Sequence, residues 1–244
     1  MPHECWMVRE QLKYSRIFFW LTLFAIAMAY LEASDVVYLR ELYSPGGFTF
    51  PLKILPTRIF LTECGREIAT ILMLIAVGVV AGRNFYCSFA YFLFSFGVWD
   101  IFYYVWLKVL LNWPPSLMTW DVLFLIPVVW VGPVLAPVLC SLTMILLAVV
   151  IVRLQAQGHK VKIRIIEWGL IIIGGLFIFL TFIWDYSYLI VEGGFLDDFF
   201  RLTSNVEFQK AISQYIPSSF NWFVFGIGEF FILLGIINFF LRTK

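Results

Sequence analysis

Six stretches of this chain, roughly residues 17–39, 59–81, 85–111, 121–152, 163–191 and 220–241, stay apolar for about twenty residues or more. The hydrocarbon core of a bilayer takes about 20 helical residues to cross. In lipid, moreover, a backbone must satisfy its N–H and C=O groups within its own segment or a closed barrel. Runs of this length therefore predict an all-α, polytopic integral membrane bundle of six transmembrane helices. Composition agrees: 62% of the residues are hydrophobic and 14% charged, where a soluble domain carries about 25% charged. The first run continues past Ala27-Met28-Ala29, so a retained helix is expected rather than a cleaved leader.

The connections orient the bundle. Arg9, Lys13, Arg16, Arg83, Arg153, Lys160, Lys162, Arg164, Arg242 and Lys244 fall on one side, and Arg40, Lys53, Arg58, Arg201 and Lys210 on the other. Lys and Arg accumulate on the cytoplasmic side, so both termini are expected there, in a plasma or bacterial inner membrane. The chain then reads as a single transmembrane domain over 1–244. Residues 1–16 form a cytoplasmic N-terminal segment, 153–162 a basic cytoplasmic loop, and 40–58 and 192–219 two long outer loops. Gly82-Arg83-Asn84 makes a tight inner turn and Asn112-Trp113-Pro114-Pro115-Ser116 a tight outer one. The first long loop carries the turn signal Ser44-Pro45-Gly46-Gly47. In the second, Ser204 and Glu207 match a capping box, and Phe208, Ala211, Ile212, Tyr215 and Ile216 recur at helical spacing. A short interfacial helix, on the outer membrane surface or capping the bundle, is expected there.

The fourth run reads Ile126-Pro127-Val128-Val129-Trp130-Val131-Gly132-Pro133-Val134-Leu135-Ala136-Pro137. Three prolines and a glycine remove backbone donors and force bends, so the fourth helix is expected to be Pro-kinked near Gly132-Pro133.

Charges inside the runs carry the functional information. Each costs about 2.5–3.5 kcal/mol at the centre of a membrane helix unless paired, neutralised or hydrated. Three Trp-Asp pairs (Trp99-Asp100, Trp120-Asp121, Trp184-Asp185) lie in or beside apolar runs, as do Glu63, Arg66, Glu67, Lys108 and Glu229. The tryptophans suit membrane interfaces; the aspartates need another reason. With the orientation above, Glu32, Asp35, Glu63, Glu67, Asp100, Asp121, Asp185 and Glu229 all fall in the outer half, against Arg66 and Lys108 alone. Glu63, Arg66 and Glu67 share a stripe of the second helix at i, i+3 and i+4, and Asp100, Tyr104 and Lys108 step by four along the third. The candidate cavity residues are therefore Glu63, Arg66, Glu67, Asp100, Tyr104, Lys108, Asp121, Asp185 and Glu229. The opposing reading is structural: Arg66 pairing Glu63 or Glu67, and Lys108 pairing Asp100.

Several function classes drop out. A formal net charge of +1, with no basic patch, gives no basis for a nucleic-acid partner. Two histidines, His3 and His159, and four dispersed cysteines, Cys5, Cys64, Cys87 and Cys140, point to no haem, zinc or disulfide framework. No cofactor is expected, and no metal or catalytic residue is assigned. An excess of acids at depth is what a proton relay or cation site needs. The first expectation is an acidic cavity in the outer half of the bilayer that binds or transports protons or a small cation. Two alternatives stay open: an accessory subunit of a larger membrane complex, meeting partners through loops 40–58 and 192–219, and an intramembrane enzyme acting on a lipid-like substrate. Membrane lipids are partners in every case.

Overall fold

A computed structural model describes residues 2–44, 48–51, 55–196, 202, 205–217 and 219–244, with the backbone alone for residues 2–11. Among them seven helices and a two-stranded hairpin follow the order α1 (Pro2–Tyr43), α2 (Thr57–Ala81), α3 (Phe85–Leu111), β1 (Trp120–Phe124), β2 (Trp130–Pro133), α4 (Leu135–Ala156), α5 (Ile165–Glu192), α6 (Val206–Ile212) and α7 (Trp222–Thr243). All but α6 are long and apolar enough to cross a bilayer. The chain is a multi-pass membrane protein built as a six-helix bundle, with exposed apolar side chains such as Val80, Ile165 and Phe223 in contact with lipid.

Three boundaries differ from the sequence expectation. Helix α1 spans 42 residues, taking in the expected N-terminal segment and running on to Tyr43. Nothing between Glu4 and Ser44 is Gly or Pro, so no residue stops it. At 1.5 Å per residue it is about 63 Å long, twice what the bilayer needs.

The second difference is larger. Residues 120–133 are not the first half of a Pro-kinked helix but a β-hairpin, and the fourth crossing begins only at Leu135. Pro127 and Pro133 cannot donate to a helix, and each pushes its predecessor out of helical backbone. The flanking Trp, Val, Leu and Phe suit strands. Pro137 survives because it stands in the first turn of α4, where its missing donor is not needed. In the hairpin, Trp120 pairs with Pro133, Asp121 with Gly132, Val122 with Val131 and Phe124 with Trp130, with a bulge between Val122 and Phe124. Further bonds run from the Val134 N–H to the Thr119 carbonyl (3.0 Å) and from the Leu135 N–H to the Leu117 carbonyl (2.7 Å). At Gly132 a Cβ would crowd the Phe182 ring, at 3.0 Å.

The third difference is at the short helix. It exists, but Asn205 caps it through the Phe208 N–H; Ser204, like Pro45-Gly46-Gly47, lies outside the described residues. Phe208 is buried with Ile190 and Leu202, so α6 packs onto the end of α5.

Helix α3 is central, packing against α1, α2 and α4, while α5 pairs with α7 and α2 rests chiefly on α3. Small residues allow the close approaches, as in other membrane bundles. A Cβ on Gly174 would lie 2.5 Å from the Gly228 carbonyl oxygen, and one on Gly97 2.7 Å from that of Ser141. Where α5 begins and α7 ends, Arg242 clasps buried Glu167 with two bonds of 2.7 and 2.9 Å and also reaches the Lys162 carbonyl (2.6 Å).

Candidate functional site

The hairpin dips into the bundle. Glu67 stands ten residues into α2, about 15 Å from its start, and both its carboxylate oxygens lie 3.0 Å from the Leu125 N–H just past β1. Non-helical backbone at that depth is tolerated where it is covered by protein or lines a cavity, and residues 121–129 do line one. The cavity has a volume of about 430 Å³, is partly open, and draws walls from α1, α2, α3, the hairpin, the end of α5 and α6.

Two polar systems line it. In the first, α1 and α2 meet through Arg66. Its guanidinium contacts Glu32, and its Nε lies 2.8 Å from Glu63 and 3.1 Å from Asp35; the Thr70 hydroxyl sits 3.4 Å from Glu32. The second system joins α1 to the hairpin. The Arg40 guanidinium lies 3.8 Å from Asp121 and over the rings of Trp113 and Phe48, at 4.0 and 4.6 Å. The Tyr104 hydroxyl donates to Asp121 at 3.3 Å. Burial pushes the Asp121 carboxyl up to about 6, against the opposing pull of Arg40.

Two acids are left without a base. Glu67, 6% exposed, has the Leu125 N–H, and Asp100, 8% exposed, accepts from the Ser141 hydroxyl at 2.8 Å. Neither has an ion-pair partner among the described residues. Nor do any three acid, His or Cys side chains among those residues form a ligand set for a metal ion.

Of the nine residues singled out from sequence, Glu63, Arg66, Glu67, Asp100, Tyr104 and Asp121 line this cavity and Lys108, Asp185 and Glu229 do not. Lys108 does not pair with Asp100. It is exposed, and its ammonium donates to the carbonyls of Asn112 (3.3 Å) and Pro114 (3.1 Å), closing the C-terminus of α3, where a cation is favoured. Asp185 accepts from the Tyr215 hydroxyl at 2.7 Å, and burial together with that carboxylate holds the hydroxyl well above its ordinary value. Glu229 accepts from Thr143 at 2.8 Å in a separate groove between α4 and α7.

Glu32, Asp35, Arg40, Trp99 and Tyr103 contribute from outside the nine. Glu32 was recognisable as an acid of the outer half, but its tie to Arg66 was not. Arg40 falls at the start of the expected outer loop; with α1 extended to Tyr43 it stands two turns beyond Glu32. Trp99 stands out in the sequence only as a deep tryptophan whose N–H needs a partner, and Tyr103 does not stand out at all. Comparison of the chain with models of known families, with curated proteins and with solved structures finds no match.

Proposed function

We propose that this multi-pass membrane protein binds and transports protons through the acidic cavity, with Glu67, Asp100 and Asp121 as the groups that exchange them. The observation that carries the reading is the presence of Glu67 and Asp100 in one partly open cavity, neither with an ion-pair partner among the described residues. A buried carboxyl without a cationic partner exchanges its charge for a proton more readily than any other arrangement of these side chains. Burial holds the Asp121 carboxyl at about 6, inside the range over which a proton carrier must load and release. Among the described residues no three acid, His or Cys side chains form a ligand set for a metal ion, which favours separate proton acceptors over an inorganic cation site. In this reading the chain forms a single transmembrane domain. Its two ends lie on the cytoplasmic side, following the Lys and Arg asymmetry, of a plasma or bacterial inner membrane.

The test is proton flux into proteoliposomes under an imposed potential, read by an entrapped pH dye. Flux above that of protein-free vesicles is expected, reduced at least tenfold in Glu67→Gln and in Asp100→Asn and retained in Lys108→Met. Flux no greater than in empty vesicles would sink the proposal.

One observation favours a second reading, a subunit of a larger membrane complex. Glu229 places a carboxyl in the α4–α7 groove, beside Thr143, Gly226 and Leu233, where a partner helix bearing a donor or cation would complete it. Native mass spectrometry of protein extracted in mild detergent distinguishes the two: a stoichiometric companion chain, lost in Glu229→Leu, supports the subunit reading.

A further inference from the structure

We propose that the α4–α5 connection, backed by the tip of α7, is a docking surface for an anionic phospholipid, whose phosphate is held by Lys160, Lys162 and Arg164. The surface lies at the other end of the helices from the acidic cavity and does not depend on the proton reading.

The segment Lys160-Val161-Lys162-Ile163-Arg164 alternates charged and apolar residues, and the fold sorts the two sets. Ile163, 4% exposed, and Val161 pack into the core cluster with Leu154, Trp168 and Phe239, whereas all three cations are exposed. The cations therefore share the outward side. Covalent geometry keeps the Cα atoms of residues two apart within about 7 Å, so the long side chains of two neighbouring cations reach one phosphate together.

The backbone that carries them is fixed from behind. Arg242 donates to the Lys162 carbonyl at 2.6 Å, and Glu167, which Arg242 clasps, accepts from the Arg164 N–H at 2.6 Å. One ion pair thus pins the segment on both sides of Ile163. The same pair removes the acid nearest the cations from the outward side, because Glu167 is 1% exposed and bonded to Arg242. A cationic surface whose backbone is already ordered loses less on binding an anion.

The neighbours of the cations identify the occupant. Ile165, which opens the crossing helix α5, is 85% exposed, Ile166 is 66% exposed, and Leu241 near the end of α7 is 68% exposed. Lys160, Lys162 and Arg164 therefore stand where a lipid-covered surface ends, at the level of the headgroups, and Lys244 follows α7 at the same edge. An acidic peptide or a nucleic acid would leave those apolar side chains idle. A phospholipid meets them with its acyl chains while its phosphate meets the cations.

The experiment is native mass spectrometry of the full chain in detergent, titrated with phosphatidylglycerol or with phosphatidylcholine of the same acyl chains. A Lys or Arg beside an anionic lipid surface strengthens association about fivefold. The first phosphatidylglycerol is therefore expected to bind at least tenfold more tightly than phosphatidylcholine. In the Lys160→Gln, Lys162→Gln, Arg164→Gln triple variant the preference should fall to within about twofold. The pinning bonds at Lys162 and Arg164 use backbone atoms, so the substitutions remove charge and spare the fold. Arg58→Gln with Lys210→Gln, two exposed cations at the other end, should keep the preference. Glycerophosphoglycerol, the headgroup without its chains, should not displace the lipid at hundredfold excess. Equal affinity for the two lipids overturns the inference, as does an undiminished preference in the triple variant or its loss in the Arg58, Lys210 variant. Displacement by the free headgroup also overturns it, since the ligand is then a soluble phosphate ester and not a lipid.

Discussion

Replacing Arg66 with methionine is the sharpest perturbation of the bundle, because one guanidinium holds three acids from two helices. Methionine keeps the apolar stem and removes the charge. Glu32 and Glu63, with side chains 12% and 8% exposed, are left at depth without a base. Asp35, at 38%, keeps its water and contributes little. Breaking a buried ion pair by removing one partner costs about 3–5 kcal/mol. A stranded glutamate can instead be neutralised, at about 3.7 kcal/mol at pH 7 from its ordinary pKa, so the loss has a ceiling of that size for each acid. A loss of about 4 kcal/mol in a chain of this length lowers the melting temperature by about 10 °C on the scale of globular proteins. Tryptophan fluorescence of the detergent-solubilised protein on heating reads it directly. Adding Glu32→Gln and Glu63→Gln to Arg66→Met should restore more than half of the loss, since a buried ionic cluster exchanged for neutral groups is close to neutral in stability. An Arg66→Met protein melting within about 2 °C of wild type would refute the assignment of Arg66 as the tie between α1 and α2. So would a triple variant no more stable than the single one.

Four further outcomes follow. The Asp121 carboxyl has an ordinary value of 3.8 and stands at about 6 in the fold. The native state therefore holds a proton that the unfolded state has released, and the contribution of Asp121 to stability falls as pH rises from about 4 to 6. The full difference is about 3 kcal/mol; Asp121→Asn should flatten that slope in a pH series of melts, and an unchanged slope would contradict it. Gly174→Ala and Gly228→Ala, each forcing a methyl against the other helix's backbone, should cost about 3 kcal/mol and loosen α5 from α7 in crosslinking, whereas Gly175→Ala, with open space around it, should not. Asp185→Leu and Tyr215→Phe should each cost about 2 kcal/mol, and the double variant no more than either alone, because they share one hydrogen bond; additive losses would break that pairing. Glu67→Gln and Asp100→Asn should raise the melting temperature while removing function, since each exchanges an uncompensated carboxylate for a neutral group; a clear loss of stability in both would mean that the carboxylates serve the fold.

The crossings were legible because lipid leaves few alternatives. A run of about twenty apolar residues has to be helical when no neighbour can satisfy its backbone, and all six are. The segment from Trp120 to Pro133 met the same composition test and failed it structurally. Taking its prolines as kinks in a helix assumes that the freed carbonyls and lost donors are repaired locally. Two strands repair them more completely: the hairpin pairs with itself, and Glu67 takes the Leu125 N–H beyond its end. That acceptor lies 58 residues away in sequence, so no local pattern could announce it. A clue was present nonetheless in two aromatic and β-branched stretches flanking Pro127, a strand–turn–strand pattern.

The charge imbalance read from the sequence had the right sign and the wrong members. Eight acids against Arg66 and Lys108 becomes, around the cavity, six acids (Glu32, Asp35, Glu63, Glu67, Asp100, Asp121) against Arg66 and Arg40, with Asp35 joined through Arg66. Lys108 leaves because a long, exposed side chain at a helix C-terminus finds free carbonyls nearer than any carboxylate. Arg40 enters because α1 does not stop where its apolar run fades, and because aromatic faces on Trp113 and Phe48 hold its planar head in a way they would not hold a compact ammonium. The exchange leaves the two bases fully engaged with Glu32, Asp35, Glu63 and Asp121. It is therefore geometry, not the count, that isolates Glu67 and Asp100: one faces the inserted hairpin, the other α4, and neither has an ion-pair partner among the described residues. A carboxyl in that position is completed only by something that arrives, and a proton is the arrival that the proposed function assigns to it.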